Sequence, residues 1–130
     1  MSSGRLVLVV DDDSSLRDIM QMVLVDEGYE VMVAADGEIA LRLVQQRRPD
    51  VILLDVNMPV LDGPGFFRAY RQLPGPHAPV IVMTAGKSAA RVAAEIGAED
   101  FLSKPYNLED VFAKVAQSVA SSAGRVASSE

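Results

Sequence analysis

Leu6-Val7-Leu8-Val9-Val10 runs straight into Asp11-Asp12-Asp13. Five consecutive apolar residues suit a strand covered on both faces, because a strand with one wet face alternates. The same arrangement returns twice. Val51-Ile52-Leu53-Leu54 leads to Asp55, and Val80-Ile81-Val82-Met83 leads to Thr84. Two further runs, residues 31–35 and the weaker Phe101-Leu102, complete a set of five.

Helical patterns lie between the runs. Leu16, Ile19, Met20, Val23 and Leu24 share one helix face, with Asp13 or Ser14 as the cap and Gly28 as the stop. Ala40, Leu43 and Val44 mark a second helix, ended before Pro49. A third begins near Gly63-Pro64, where proline suits the first turn, and stops at Pro74-Gly75-Pro76. A fourth is expected over residues 87–96. It is mostly alanine and has few large side chains to anchor it. Leu108, Val111, Phe112, Val115 and Val119 mark the last helix, capped by Asn107.

Strand and helix alternating five times imply a three-layer α/β domain, with a doubly wound five-stranded parallel sheet and right-handed crossovers. The expected domain occupies residues 1–120. Residues 121–130 are rich in serine and alanine and are expected to form a flexible tail.

The 130 residues suit one domain, and 49% hydrophobic content is enough to bury a core. The chain has no cysteine, which excludes disulfides and thiolate metal sites. Its net charge of −6 argues against direct binding of nucleic acid. No apolar stretch approaches the ~20 residues that span a bilayer, and the first residues lack a secretory pattern. A cytoplasmic location without membrane contact is therefore expected.

Ligands of open parallel sheets bind beyond the carboxyl ends of the strands. The residues there are Asp11, Asp12 and Asp13, then Asp55 and Asn57, then Thr84, then Ser103, Lys104 and Pro105. After the second run, Asp36-Gly37 reads as a turn. Crowded carboxylates repel unless a cation joins them. Oxygen-only ligation favours a hard ion, Mg²⁺ or Mn²⁺, over zinc. Mg²⁺ with one or two carboxylates suggests phosphoryl chemistry, in which a carboxylate attacks in line. Lys104 then supplies a second positive charge and Thr84 a hydrogen bond. Asp13 reads better as a helix cap than as a ligand. His77 reads as a loop residue, and Tyr29 and Tyr106 as packing or surface aromatics. The methionines read as gap-fillers.

Four segments in order carry a resemblance: Leu8-Val9-Val10-Asp11-Asp12, Leu54-Asp55-Val56-Asn57-Met58-Pro59, Met83-Thr84-Ala85, and Lys104-Pro105. With Gly37, Asp62-Gly63 and Gly97-Ala98, they resemble the response-regulator receiver domain over about residues 5–120. The resemblance implies a flavodoxin-like sheet of order 2-1-3-4-5, whereas periodicity yields only the strand count. It also implies that Asp55 accepts a phosphoryl group from a histidine kinase or a histidine phosphotransfer protein. Asp12, Asp55 and the Asn57 carbonyl would ligate the metal directly, and Asp11 through water. Thr84 would move toward the phosphoryl group and Lys104 would pair with its oxygens. The Lys104-Pro105 bond would be cis. Phe101 stands where the family keeps an aromatic switch, often tyrosine, and lacks the hydroxyl. Gly86 and Asn57 hold two variable positions. An unidentified output protein or domain would read the surface made by the fourth helix, fifth strand and fifth helix. Such a chain catalyses its own phosphorylation without being a turnover enzyme.

Two other classes fit less well. A haloacid-dehalogenase-type phosphatase places a second acid two residues after its nucleophile, where this chain has Asn57. A flavin-binding module needs a Ser/Thr/Gly-rich phosphate loop after the first strand, where this chain has acids.

Overall fold

A computed structural model describes residues 5–85, 89–104 and 107–128. Strands β1 (Leu6–Val10), β2 (Glu30–Ala34), β3 (Val51–Asp55), β4 (Val80–Ala85) and β5 (Asp100–Lys104) alternate with five helices. These are α1 (Ser14–Asp26), α2 (Gly37–Gln46), α3 (Gly63–Gln72), α4 (Ala89–Ile96) and α5 (Leu108–Ser128). The sheet is wholly parallel in the order β2-β1-β3-β4-β5. This is the doubly wound, three-layer architecture expected.

Side-chain alternation divides the continuous apolar runs between two cores. Leu8, Val10, Ile52, Leu54, Val80 and Val82 face α2, α3 and α4, where they meet Ala40, Val44, Phe66, Phe67, Tyr70 and Ala93. Val7, Val9, Val51, Leu53, Ile81 and Met83 face α1 and α5, where they meet Met20, Leu24, Val111, Val115 and Val119. Each large side chain buried this way stabilises the fold by about 1.5–3 kcal/mol relative to exposure. Both faces of β1 and β3 are sealed, which leaves only the strand ends for polar chemistry.

The helix boundaries follow their caps. Asp13 accepts from the backbone of Ser15 and Leu16, Asp36 from Ile39, Asp62 from Gly65 and Asn107 from Asp110. Gly28 ends α1 with a positive φ of 99°. Asp36-Gly37, expected as a turn, is the cap and first residue of α2. The start of α4 expected at Lys87 lies outside the described residues. The backbone of α5 continues to Ser128, past the boundary at residue 120 expected for a flexible tail. Alanine is the strongest helix former, and extending a helix already begun avoids the cost of a new nucleus.

At the end of the sheet away from the acids, polar groups tie layers together. Asp50 accepts the Leu6 N–H at 2.7 Å. Glu99 accepts the Val80 N–H at 2.8 Å and pairs with Arg71 of α3 at 2.9 Å. Arg71 in turn lies over the Phe67 ring. Tyr70 stacks on Phe66, takes the His77 ring edge-on, and accepts the buried Ala78 N–H at 2.7 Å. Burial pushes the Tyr70 phenol above its ordinary value, because tyrosinate is poorly solvated there.

Tyr70→Phe keeps the stack but leaves the Ala78 N–H without its acceptor. It is expected to lower stability by about 1–3 kcal/mol in urea unfolding. The raised phenol means that the unfolded chain loses its proton first as pH climbs past its ordinary value of 10.0. Stability therefore falls above that pH. Tyr70→Phe is expected to shrink this alkaline fall.

Candidate functional site

Strand register brings the acids together. Val10 aligns with Leu54 across the β1–β3 pair, so Asp11 and Asp55 are the next residues along neighbouring strands. The Asp11 N–H extends the ladder to the Ala34 carbonyl at 3.1 Å. Asp55 aligns with Met83, which puts Thr84 one step beyond it on β4. Lys104 aligns with Ala85 at the end of β5. Carboxylate oxygens of Asp11, Asp12 and Asp55 lie within 4.8 Å of one another. Asp11 is 1% exposed, Asp55 6% and Thr84 6%, whereas Asp12 is open to solvent. The cluster is thus rooted in the protein and open on one side.

Asp13 is the cap of α1, as its place before the helix suggested, and its own N–H binds Asp11 Oδ1 at 2.9 Å. Asn57 is exposed in the loop two residues after Asp55. The Lys104 side chain, Gly86, Pro105 and Tyr106 lie outside the described residues. Phe101 is 37% exposed on β5.

Three supports of the site had not been assigned a role from the sequence. The Arg17 guanidinium donates to the Asp11 carbonyl at 2.8 Å, bracing the β1–α1 turn from inside α1. Gly63 presses on the phosphoacceptor candidate's own backbone. A Cβ there would sit 2.6 Å from the Asp55 carbonyl oxygen and 2.8 Å from Val56 Cα. The Gly63 N–H also binds the Val56 carbonyl at 2.9 Å. Gly37 packs as closely on Leu61, with its N–H donating to the Leu61 carbonyl at 3.0 Å. That bond ties the β3–α3 loop to the start of α2. Between them Val60 takes φ 67°, a costly conformation for a β-branched residue, and the Leu61 N–H closes on the Pro59 carbonyl at 2.7 Å. Gly37 and Gly63 were visible in the sequence as motif glycines. Arg17 had no such signal.

The donor set is entirely oxygen, from three carboxylates at the open end of a parallel sheet. It fits a hard divalent cation such as Mg²⁺ or Mn²⁺, which accepts carboxylates and keeps water. With Thr84 buried beside it, the site can hold a cation and place a carboxylate against an electrophile.

The family model described as the response regulator receiver domain matches residues 7–116. The chain belongs to the response regulator receiver family. The receiver domain is 46% identical over 111 residues to the transcriptional regulatory protein PrrA of Mycobacterium tuberculosis, covering 84% of this chain and 47% of that protein. It is 43% identical over 111 residues to the response regulator MprA of Mycobacterium sp. (strain KMS), covering 84% and 48%. The chain therefore spans about half the length of the curated relatives it matches. Among solved structures, the chemotaxis response regulator CheY4 of Vibrio cholerae superposes with a TM-score of 0.80 at 39% identity, covering 90% of this chain and 99% of that one. A response regulator described as putative from Chloroflexus aurantiacus J-10-fl gives a TM-score of 0.83 at 35% identity, covering 91% and 99%. The chain is thus a signalling domain of two-component systems rather than a turnover enzyme. Receiver domains bind Mg²⁺ at an acidic cluster, and Asp11, Asp12 and Asp55 form such a cluster here. No helix among the described residues is long and apolar enough to cross a membrane.

Gly63→Ala forces a methyl group into two backbone atoms that cannot rotate away. It is expected to cost roughly 1–3 kcal/mol in urea unfolding and to weaken Mg²⁺ binding by displacing Asp55. An unchanged unfolding midpoint would mean that the β3–α3 loop is free to shift.

Proposed function

We propose that this receiver domain accepts a phosphoryl group on Asp55 from a histidine kinase or a histidine phosphotransfer protein, in a reaction that needs Mg²⁺. The observation that carries the reading is the convergence of the Asp11, Asp12 and Asp55 carboxylates within 4.8 Å, with Thr84 buried one step away on β4. Asp55 stands at the centre of the sheet edge, on the strand flanked by β1 and β4, and is enclosed together with Asp11. Its Oδ attacks phosphorus in line as the bond to the donor's nitrogen breaks, giving an acyl phosphate. When bound, Mg²⁺ supplies charge neutralisation for the carboxylate and the phosphoryl oxygens.

Asp12, Asp55 and the Asn57 carbonyl would hold the cation directly, and Asp11 would hold it through water. Thr84 donates its hydroxyl proton to a phosphoryl oxygen. Lys104 neutralises another, on a loop set by a cis bond to Pro105. The register that brings the end of β5 beside β4 supports the Lys104 assignment. Arg17 keeps Asp11 in place by holding its carbonyl.

Movement of Thr84 toward the phosphoryl group frees space that Phe101 fills by turning inward. The surface of α4, β5 and α5 then changes from a resting to an active form. An output partner, either a further domain or a separate protein, reads that surface. Relatives named as transcriptional regulators support an output in gene control. The receiver domain of residues 1–120 acts in the cytoplasm, and α5 carries its backbone on to Ser128.

Intact mass after incubation with an acyl-phosphate donor and Mg²⁺ tests the chemistry. The expected result is one added phosphoryl group, lost with hydroxylamine, and absent with chelator or in Asp55→Asn. Labelling that survives Asp55→Asn would put the acceptor elsewhere.

A further inference from the structure

Phe101 lies on β5, the edge strand of the sheet, and keeps more than a third of its surface in solvent. Its neighbour Leu102 is buried against α5, so the backbone here is anchored while the aromatic ring is not. One charged residue lies over that ring and a second holds it there. Lys114 of α5 places Nζ 5.4 Å from the ring centroid. The same Nζ lies 2.8 Å from Asp100 Oδ1, and that oxygen also accepts the Phe101 N–H at 2.8 Å. One carboxylate oxygen thus holds both the backbone of the aromatic residue and the cation above its face.

We propose that Lys114 and Asp100 are positioning residues that hold Phe101 in its outward arrangement and so set the resting bias of the switch. The inference rests on the phosphoacceptor reading above. Its physical basis is the missing hydroxyl. A tyrosine could be held outward or inward by hydrogen bonds at its tip, whereas phenylalanine offers only its face. A cation over that face is attracted by the ring quadrupole, and turning the ring inward removes the attraction. Asp100 keeps the long lysine side chain from wandering, so less conformational freedom is lost when the contact forms. An exposed contact of this kind biases a two-state equilibrium by about two- to fivefold. A ligand that selects the inward state binds more weakly by the same factor.

The test uses the full chain with beryllofluoride and Mg²⁺ as the phosphoryl mimic. In the free protein the Lys114 ε-methylene protons are expected upfield, shifted by the Phe101 ring, and Phe101→Leu should abolish the shift. Adding beryllofluoride should move them toward the position of a solvated lysine. Lys114→Gln is expected to tighten beryllofluoride binding about two- to fivefold, and Lys114→Arg, which keeps a cation over the ring, should restore the original affinity. Asp100→Asn should tighten binding in the same direction. Binding that is indifferent to Lys114→Gln, or equally changed by Gln and Arg, would overturn the positioning role while leaving the phosphoacceptor reading intact. Failure of the unaltered chain to bind beryllofluoride would overturn that reading, and the positioning role with it.

Discussion

The site depends on burial of β1 and β3 on both faces. Every side chain from Leu6 to Val10 and from Val51 to Asp55 is enclosed, so these strands carry no polar group along their length except at the end. A parallel sheet sends all its carboxyl ends to one edge, and the register of β1 against β3 makes Asp11 and Asp55 neighbours there. The acidic cluster is therefore a consequence of how the core is covered. Shifting either strand by one residue would swap the two cores and scatter the carboxylates together.

Rigidity on one side of that edge contrasts with latitude on the other. The β3–α3 loop is pinned by Gly63 against Asp55 and by the bond from Gly37 to Leu61, and Asp11 is braced by Arg17. Those contacts fix the acids before any ligand arrives, as electrostatic catalysis requires. The opposite side is built from α4, with alanines at its buried positions 89 and 93, and from an edge strand bearing a part-exposed Phe101. Beside these small residues, the partly buried Val92 and Ile96 supply the larger apolar contacts of α4. The proposed switch would draw on this division, with a fixed acidic cluster beside the surface of α4, β5 and α5.

Much of this was legible in the sequence, for reasons that can be named. Apolar runs without alternation report strands buried on both sides, and β1 and β3 were readable almost to the residue. The acids after them were readable as a candidate site because a parallel sheet sends all its carboxyl ends to one edge. Strand order was not readable from periodicity, since each run is equally apolar; the family resemblance supplied it. What stayed hidden depends on distances between segments far apart in sequence. Arg17 reaching the Asp11 carbonyl and Lys114 reaching Phe101 are of this kind. Alanine and serine past residue 120 read as a tail by composition, whereas the backbone of α5 continues to Ser128.

Locating the phosphoryl group tests the central claim most directly. Borohydride reduces an acyl phosphate to an alcohol, which converts a phosphorylated aspartate to homoserine. Peptide sequencing after phosphorylation and reduction should find homoserine at position 55 and intact aspartate at positions 11, 12 and 13. Homoserine at any of those three, with Asp55 unchanged, would contradict the account.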